Sequence, residues 1–159
     1  MQAAIIYGSK SDSQVMTKAA DVFREFGVSF SSHILSAHRV PELLGETIKK
    51  LEAEGAGVII AGAGLAAHLP GVIASQTIVP VIGVPISSGG LGGLDALLSI
   101  VQMPKPIPVA AVGVDNAANA AYLACEILAN SDKNLKTKLL EFRKKMKDDF
   151  ARDNEGAQL

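Results

Sequence analysis

The chain has 159 residues, with 15 basic and 16 acidic side chains and a formal charge of −1. That length suits one domain with a sizeable core, and the balanced charge argues against a long polyanion, so no nucleic acid is expected as partner. The single cysteine, Cys125, excludes an intramolecular disulfide and sits among Ala, Leu and Ile at helical spacing, as a buried thiol does. With no basic region at the N-terminus, the expectation is a reducing, cytoplasmic setting.

The first apolar run, Ala3–Tyr7, reads as a strand leading into Gly8-Ser9-Lys10-Ser11-Asp12. Ser11 followed by Gln14 has capping-box spacing, and Val15, Met16, Ala19, Ala20 and Phe23 form the apolar stripe of a helix that ends near Gly27. Strand two spans 28–34 and leads to Ser36-Ala37-His38-Arg39; Pro41 opens a second helix with Leu43, Leu44, Ile48 and Leu51 inward. Further strands are expected over 57–61, 81–84 and 108–114, with helices near 66–75, 94–102 and 117–129. This alternation, with runs such as Val58-Ile59-Ile60 that are apolar throughout, predicts an α/β chain with a doubly wound parallel sheet in three layers.

The 40 residues from Gly55 to Leu94 contain no Lys, Arg, Asp or Glu. Gly and Pro interrupt them too often for a span of about 20 apolar residues, so burial in a core or between subunits is expected, and no membrane. Residues 131–153 read as a charged C-terminal helix with 8 of the 15 basic residues and a stripe at Leu135, Leu139, Phe142, Met146 and Phe150. The expectation is that this stripe clasps a neighbouring subunit and that 154–159 fray.

Four polar loops follow the first four strands, on the edge where ligands bind in such sheets. The first offers hydroxyls and backbone N–H groups at a helix N-terminus, which suits a phosphate; the same residues equally suit a plain turn with a cap. Only seven basic residues lie in the body of the chain, and of these only Lys10 and Arg39 fall in loops just after the first two strands. A guanidinium grips phosphate bidentately, and Asp12 beside it can accept from sugar hydroxyls, so the pairing points to a ribose phosphate. His38 adjoins Arg39 and has no Cys, Glu or second His at metal-ligand spacing, which makes it a candidate proton shuttle and leaves no metal site. His68 is the sole ionisable side chain of the uncharged stretch and reads equally as pocket or core; His33, in a strand pattern, reads as structural.

Several stretches together resemble the class I N5-carboxyaminoimidazole ribonucleotide mutases, the family of phosphoribosylaminoimidazole carboxylase catalytic subunits. They are Gly8-Ser9-Lys10-Ser11-Asp12, Ser36-Ala37-His38-Arg39, Ala66-Ala67-His68-Leu69-Pro70-Gly71, Pro80-Val81-Ile82-Gly83-Val84-Pro85 and Leu97–Pro104. The resemblance implies a flavodoxin-like catalytic domain over 1–130, a homo-octamer with C-terminal helices on neighbours, and no cofactor. It also implies that Ser9, Asp12 and Arg39 bind the ribonucleotide with help from Ser11 and Ser36, that His38 is the acid/base, and that Gly64, His68 and Leu69 line the carboxylate pocket. Its substrate would come from the ATP-dependent carboxyaminoimidazole ribonucleotide synthase. Class II relatives, which carboxylate with free carbon dioxide, carry Ser-Asn where this chain has Ala67-His68. The fourth loop, with Gly89, Gly90 and Gly92, departs from the family by its lack of side chains, and Lys105-Pro106 replaces a Gly-rich turn. A flavodoxin-like binding module is the remaining alternative; with no Trp and only Tyr7 and Tyr122, the chain is poorly equipped to stack a flavin.

Overall fold

A computed structural model describes residues 2–155. Five parallel strands, β1 (Ala3–Tyr7), β2 (Phe30–Ile34), β3 (Val58–Gly64), β4 (Val81–Ile86) and β5 (Ala110–Ala111), form one sheet in the order β2-β1-β3-β4-β5. The helices are α1 (Ser13–Phe26), α2 (Pro41–Ala53), α3 (Leu69–Ala74), α4 (Leu94–Val101), α5 (Ala117–Leu128) and α6 (Lys133–Glu155). This is the flavodoxin-like order, with the reversal of winding between β1 and β3.

Strand alternation divides the core in two. Ile5, Val58, Ile60, Ile82 and Val84 face α1, α5 and the start of α6 through Met16, Phe23, Ala121 and Leu135. Ala4, Ile6, Ile59, Ala61 and Val81 face α2, α3 and α4 through Leu44, Ile48, Ile73 and Ile100. Glycine allows close approach on each side: a Cβ at Gly83 would stand 2.5 Å from Ile100 Cγ2, and one at Gly62 would stand 2.4 Å from Met16 Sδ.

Several boundaries differ from the sequence expectation. Ser11 does not cap α1; the chain first makes a 3-10 turn over Lys10–Asp12, whose cap is Ser9, and α1 begins at Ser13. Gly62-Ala63-Gly64 and Pro85-Ile86 are strand, because β3 and β4 stay paired through Ala63–Pro85 and Gly64–Ile86. The N–H that Pro85 lacks would face the β5 side, where β5 has already ended after two residues. β5 is shorter than 108–114, α3 begins three residues after Ala66, and Leu43 is exposed because Leu44, Ile48 and Leu51 form the buried stripe. The uncharged stretch is buried in β3 and β4 but fully exposed at Ile78. No described helix is long and apolar enough to cross a membrane.

The C-terminal stripe folds first onto its own chain. Leu135 and Leu139 are buried, Phe142 stacks on Tyr122 and meets Phe26 edge-on, and Lys138 Nζ donates to the Phe26 carbonyl at 2.9 Å, at the C-terminal end of α1. Only Met146 and Phe150 of the stripe remain for anything else. Asn154 and Glu155 are helical, and the rest of the expected frayed tail, 156–159, lies outside the described residues. Cys125 is buried as expected, with its thiol pushed up to about 11 by desolvation.

Gly83→Ala is expected to overpack a contact that Ile100, Val109 and Pro70 already fill, costing about 2 kcal/mol. For a chain of this size that lowers the thermal midpoint by about 4–8 °C. A calorimetric scan showing an unchanged midpoint would contradict the close approach.

Candidate functional site

The ends of β1 and β3 open a crevice because the chain leaves them toward opposite faces of the sheet. A cavity of about 350 Å³ occupies it, lined by Gly8, Ser9, Ser11 and Asp12 from the first loop and Ser36–Arg39 from the second. Its remaining walls are Ala63–Ala66, His68 and Leu69 at the end of β3, with Ser88 from the loop after β4. All nine residues singled out from the sequence (Ser9, Ser11, Asp12, Ser36, His38, Arg39, Gly64, His68 and Leu69) border this one space. Lys10 does not.

The first loop is held by its own polar atoms. Ser11 Oγ lies 2.9 Å from Ser9 Oγ and 3.1 Å from Asp12 Oδ1, and the Asp12 N–H donates to the Ser9 carbonyl at 3.0 Å. Asp12 is the only charged side chain that is buried among the described residues. Burial pushes its carboxyl above the ordinary 3.8, while the Ser11 hydroxyl, the Ser9 N–H and the charge of Arg39 pull it partway back. Burying such a group costs stability, and its oxygens are well placed to accept hydrogen bonds from a ligand.

The second loop turns on Ser36, whose carbonyl accepts from Arg39 N–H at 3.3 Å and Val40 N–H at 3.0 Å. Val40 leaves the helical region at φ −140° and ψ 54°, and Pro41 then starts α2. The Arg39 guanidinium has no hydrogen bond or ion pair among the described residues, so its fork is free for an anion.

His38 meets His68 across the crevice. Nε2 of His38 lies 2.7 Å from Nδ1 of His68, and the rings stand edge to face with centroids 4.9 Å apart. At that separation one ring nitrogen donates and the other accepts. The two residues are 30 positions apart, and nothing in either loop alone announces the contact. His33 takes no part: it bonds Ser31 Oγ at 2.8 Å on the edge strand β2, and burial lowers its pKa.

Gly64 and Ser88 form the floor. A Cβ at Gly64 would stand 2.1 Å from Ser88 Oγ and 3.0 Å from the Ile86 carbonyl, so a side chain there would push the Ser88 hydroxyl aside and crowd the fourth loop. Leu65 follows in the left-handed region at φ 54° and is more than half exposed at the rim. Sequence reasoning missed Ser88, although its loop was expected on this edge; its type alone does not separate it from Ser87. No group of three or more His, Cys, Asp or Glu among the described residues is arranged to hold a metal ion.

A family model described as AIR carboxylase matches residues 2–149. The N5-carboxyaminoimidazole ribonucleotide mutase of Pyrococcus horikoshii is 59% identical over 143 residues, 90% of this chain and 81% of that protein. The Escherichia coli K12 protein of the same name is 50% identical over 150 residues, 93% of this chain and 89% of the relative. The crystal structure of Treponema denticola PurE superposes with a TM-score of 0.91 over 99% of both chains at 26% identity. The match spans nearly the whole chain and takes in every wall of the cavity, and the chain therefore belongs to the AIR carboxylase family.

Proposed function

We propose that this protein is an N5-carboxyaminoimidazole ribonucleotide mutase, moving a carboxylate from the exocyclic nitrogen to carbon 4 of the aminoimidazole ring to give 4-carboxy-5-aminoimidazole ribonucleotide. The observation that carries the reading is one cavity uniting an anion-type loop, an unpaired guanidinium and a hydrogen-bonded imidazole pair. Arg39 with Ser9 and Ser11 takes the phosphate, and Asp12 with Ser36 takes the ribose hydroxyls. The ring and its carboxylate then lie between His38 and the wall of Gly64, His68 and Leu69.

The chemistry balances without a co-reactant. Cleavage of the nitrogen–carbon bond releases carbon dioxide as the exocyclic nitrogen takes a proton. Carbon 4 then attacks the retained carbon dioxide, and loss of its proton restores the aromatic ring. His38, as the imidazolium, gives the first proton and, then neutral, takes the second, ending as it began. General acid/base help of this kind is worth about 10²–10⁴ in rate, and retention of carbon dioxide beside its acceptor adds the advantage of proximity. His68 supports the mutase over direct carboxylation, because the Ser-Asn of class II relatives offers no imidazole to His38.

In the same reading the protein works in the cytoplasm as a homo-octamer, on a substrate formed by an ATP-dependent synthase. The exposed apolar stripe of Leu91, Leu94, Leu98 and Val101 on and before α4, together with Met146 and Phe150, supports assembly, since such surface is seldom left bare.

Purified protein offered N5-carboxyaminoimidazole ribonucleotide is expected to convert it, and to show little turnover of aminoimidazole ribonucleotide with bicarbonate. Turnover of the second substrate alone would replace the mutase by a carboxylase. His38→Asn is expected to lower kcat at least about 100-fold while ribonucleotide affinity by calorimetry stays within about threefold; retained turnover would remove His38 from the reaction.

Asp12→Asn separates function from stability. Because the folded carboxyl holds its proton to higher pH than the unfolded one, Asp12 lowers stability above its raised pKa and has no such effect below the ordinary 3.8. The variant is expected to melt higher than wild type at pH 7, to lose that advantage as pH falls toward 4, and to lose at least about tenfold in kcat/KM. A lower midpoint at pH 7 would contradict the assignment of Asp12 as a group kept for the substrate.

A further inference from the structure

The loop between β4 and α4 carries Ser88 into the site, yet it contains four glycines, Gly89, Gly90, Gly92 and Gly93, of which three have positive φ. Such a segment has little local preference for one shape. Both of its ends stand on the turn before α5. The carboxylate of Asp115 accepts from the Ser87 N–H at 2.9 Å through Oδ1 and from the Ser87 hydroxyl through Oδ2. The Asp115 N–H in turn donates to the Pro85 carbonyl at 2.9 Å. At the other end, a Cβ at Gly93 would come within 2.6 Å of Val114 Cγ1 and 3.2 Å of Ser87 Cα, so the arch closes tightly on itself there.

Asp115 adopts φ 57°, a left-handed conformation that glycine takes freely and that few other side chains tolerate. It caps nothing: the helix cap of α5 is the neighbouring Asn116, whose Oδ1 accepts from Asn119 N–H. The two bonds to Ser87 are therefore the work left to its side chain. We propose that Asp115 is a positioning residue for the site, holding the glycine-rich loop so that Ser88 stays over Gly64 at the cavity. The geometry is independent of the substrate; the kinetic readout rests on the mutase reading.

Asp115→Gly removes the carboxylate without backbone strain. In the full-length protein with N5-carboxyaminoimidazole ribonucleotide as substrate, KM is expected to rise about tenfold with kcat within about threefold, as for loss of hydrogen bonds to a charged group. Asp115→Asn, which keeps an acceptor for the Ser87 N–H, is expected to restore most of the affinity. Ser88→Ala should reproduce the rise in KM, and combining it with Asp115→Gly should add little, because the two changes act through one contact. Amide hydrogen exchange should accelerate across 87–93 in Asp115→Gly and remain unchanged in α1. Unchanged exchange across 87–93, or an unchanged KM for Asp115→Gly where the wild type turns over, overturns the proposal. Absence of wild-type mutase turnover defeats the function reading instead, and the exchange contrast still decides the role of Asp115.

Discussion

The three middle strands are covered on both faces, and the placement of every polar group in the site follows from that constraint. β1, β3 and β4 have nearly every residue buried, so a polar side chain along them would need a partner that the apolar layers do not supply. Hydroxyls, imidazoles and the guanidinium are confined to strand ends, and the reversal of winding at β1 and β3 separates the loops enough to leave a cavity there. Asp12 is the exception: a buried carboxyl held just past the end of β1 by Ser9 and Ser11, against the cost of desolvation.

Much of this was readable from residue order. Continuous apolar runs with helical segments between them identify parallel strands whatever their partners, and Gly27 and Pro41 mark helix ends by local stereochemistry. The boundaries that moved are those that tertiary pairing decides. Gly62, Gly64 and Pro85 carry turn signals, yet they stay in strands because their neighbours in the ladder are strands. Ser11 has the spacing of a cap, but the extra turn over Lys10–Asp12 redirects its hydroxyl to Ser9 and Asp12. The stripe on α6 is amphipathic either way, and periodicity alone cannot say that Phe26 and Tyr122 of the same chain receive Phe142.

The site divides along the same line. Residues in one loop, such as Ser36 to Arg39, could be singled out by type and proximity; His68 stood out as the one ionisable group of the uncharged stretch, and the family resemblance placed it in the pocket and added Leu69. The bond between His38 and His68 could not, since it depends on two loops meeting across a crevice. Ser88 was missed for a related reason: its reach into the cavity is created by the absence of a side chain at Gly64. Long-range geometry, unlike residue type, leaves no local trace.

That bare position at Gly64 bears on how such a pocket can diversify. Where a binding wall is built from side chains, single substitutions can reshape it gradually. Here the floor is main chain pressed against a hydroxyl and a carbonyl, and an added carbon must displace the first and crowd the second. Drift in ligand preference is thereby channelled toward the rim, at exposed positions such as Leu65 and Arg39, while the floor stays fixed.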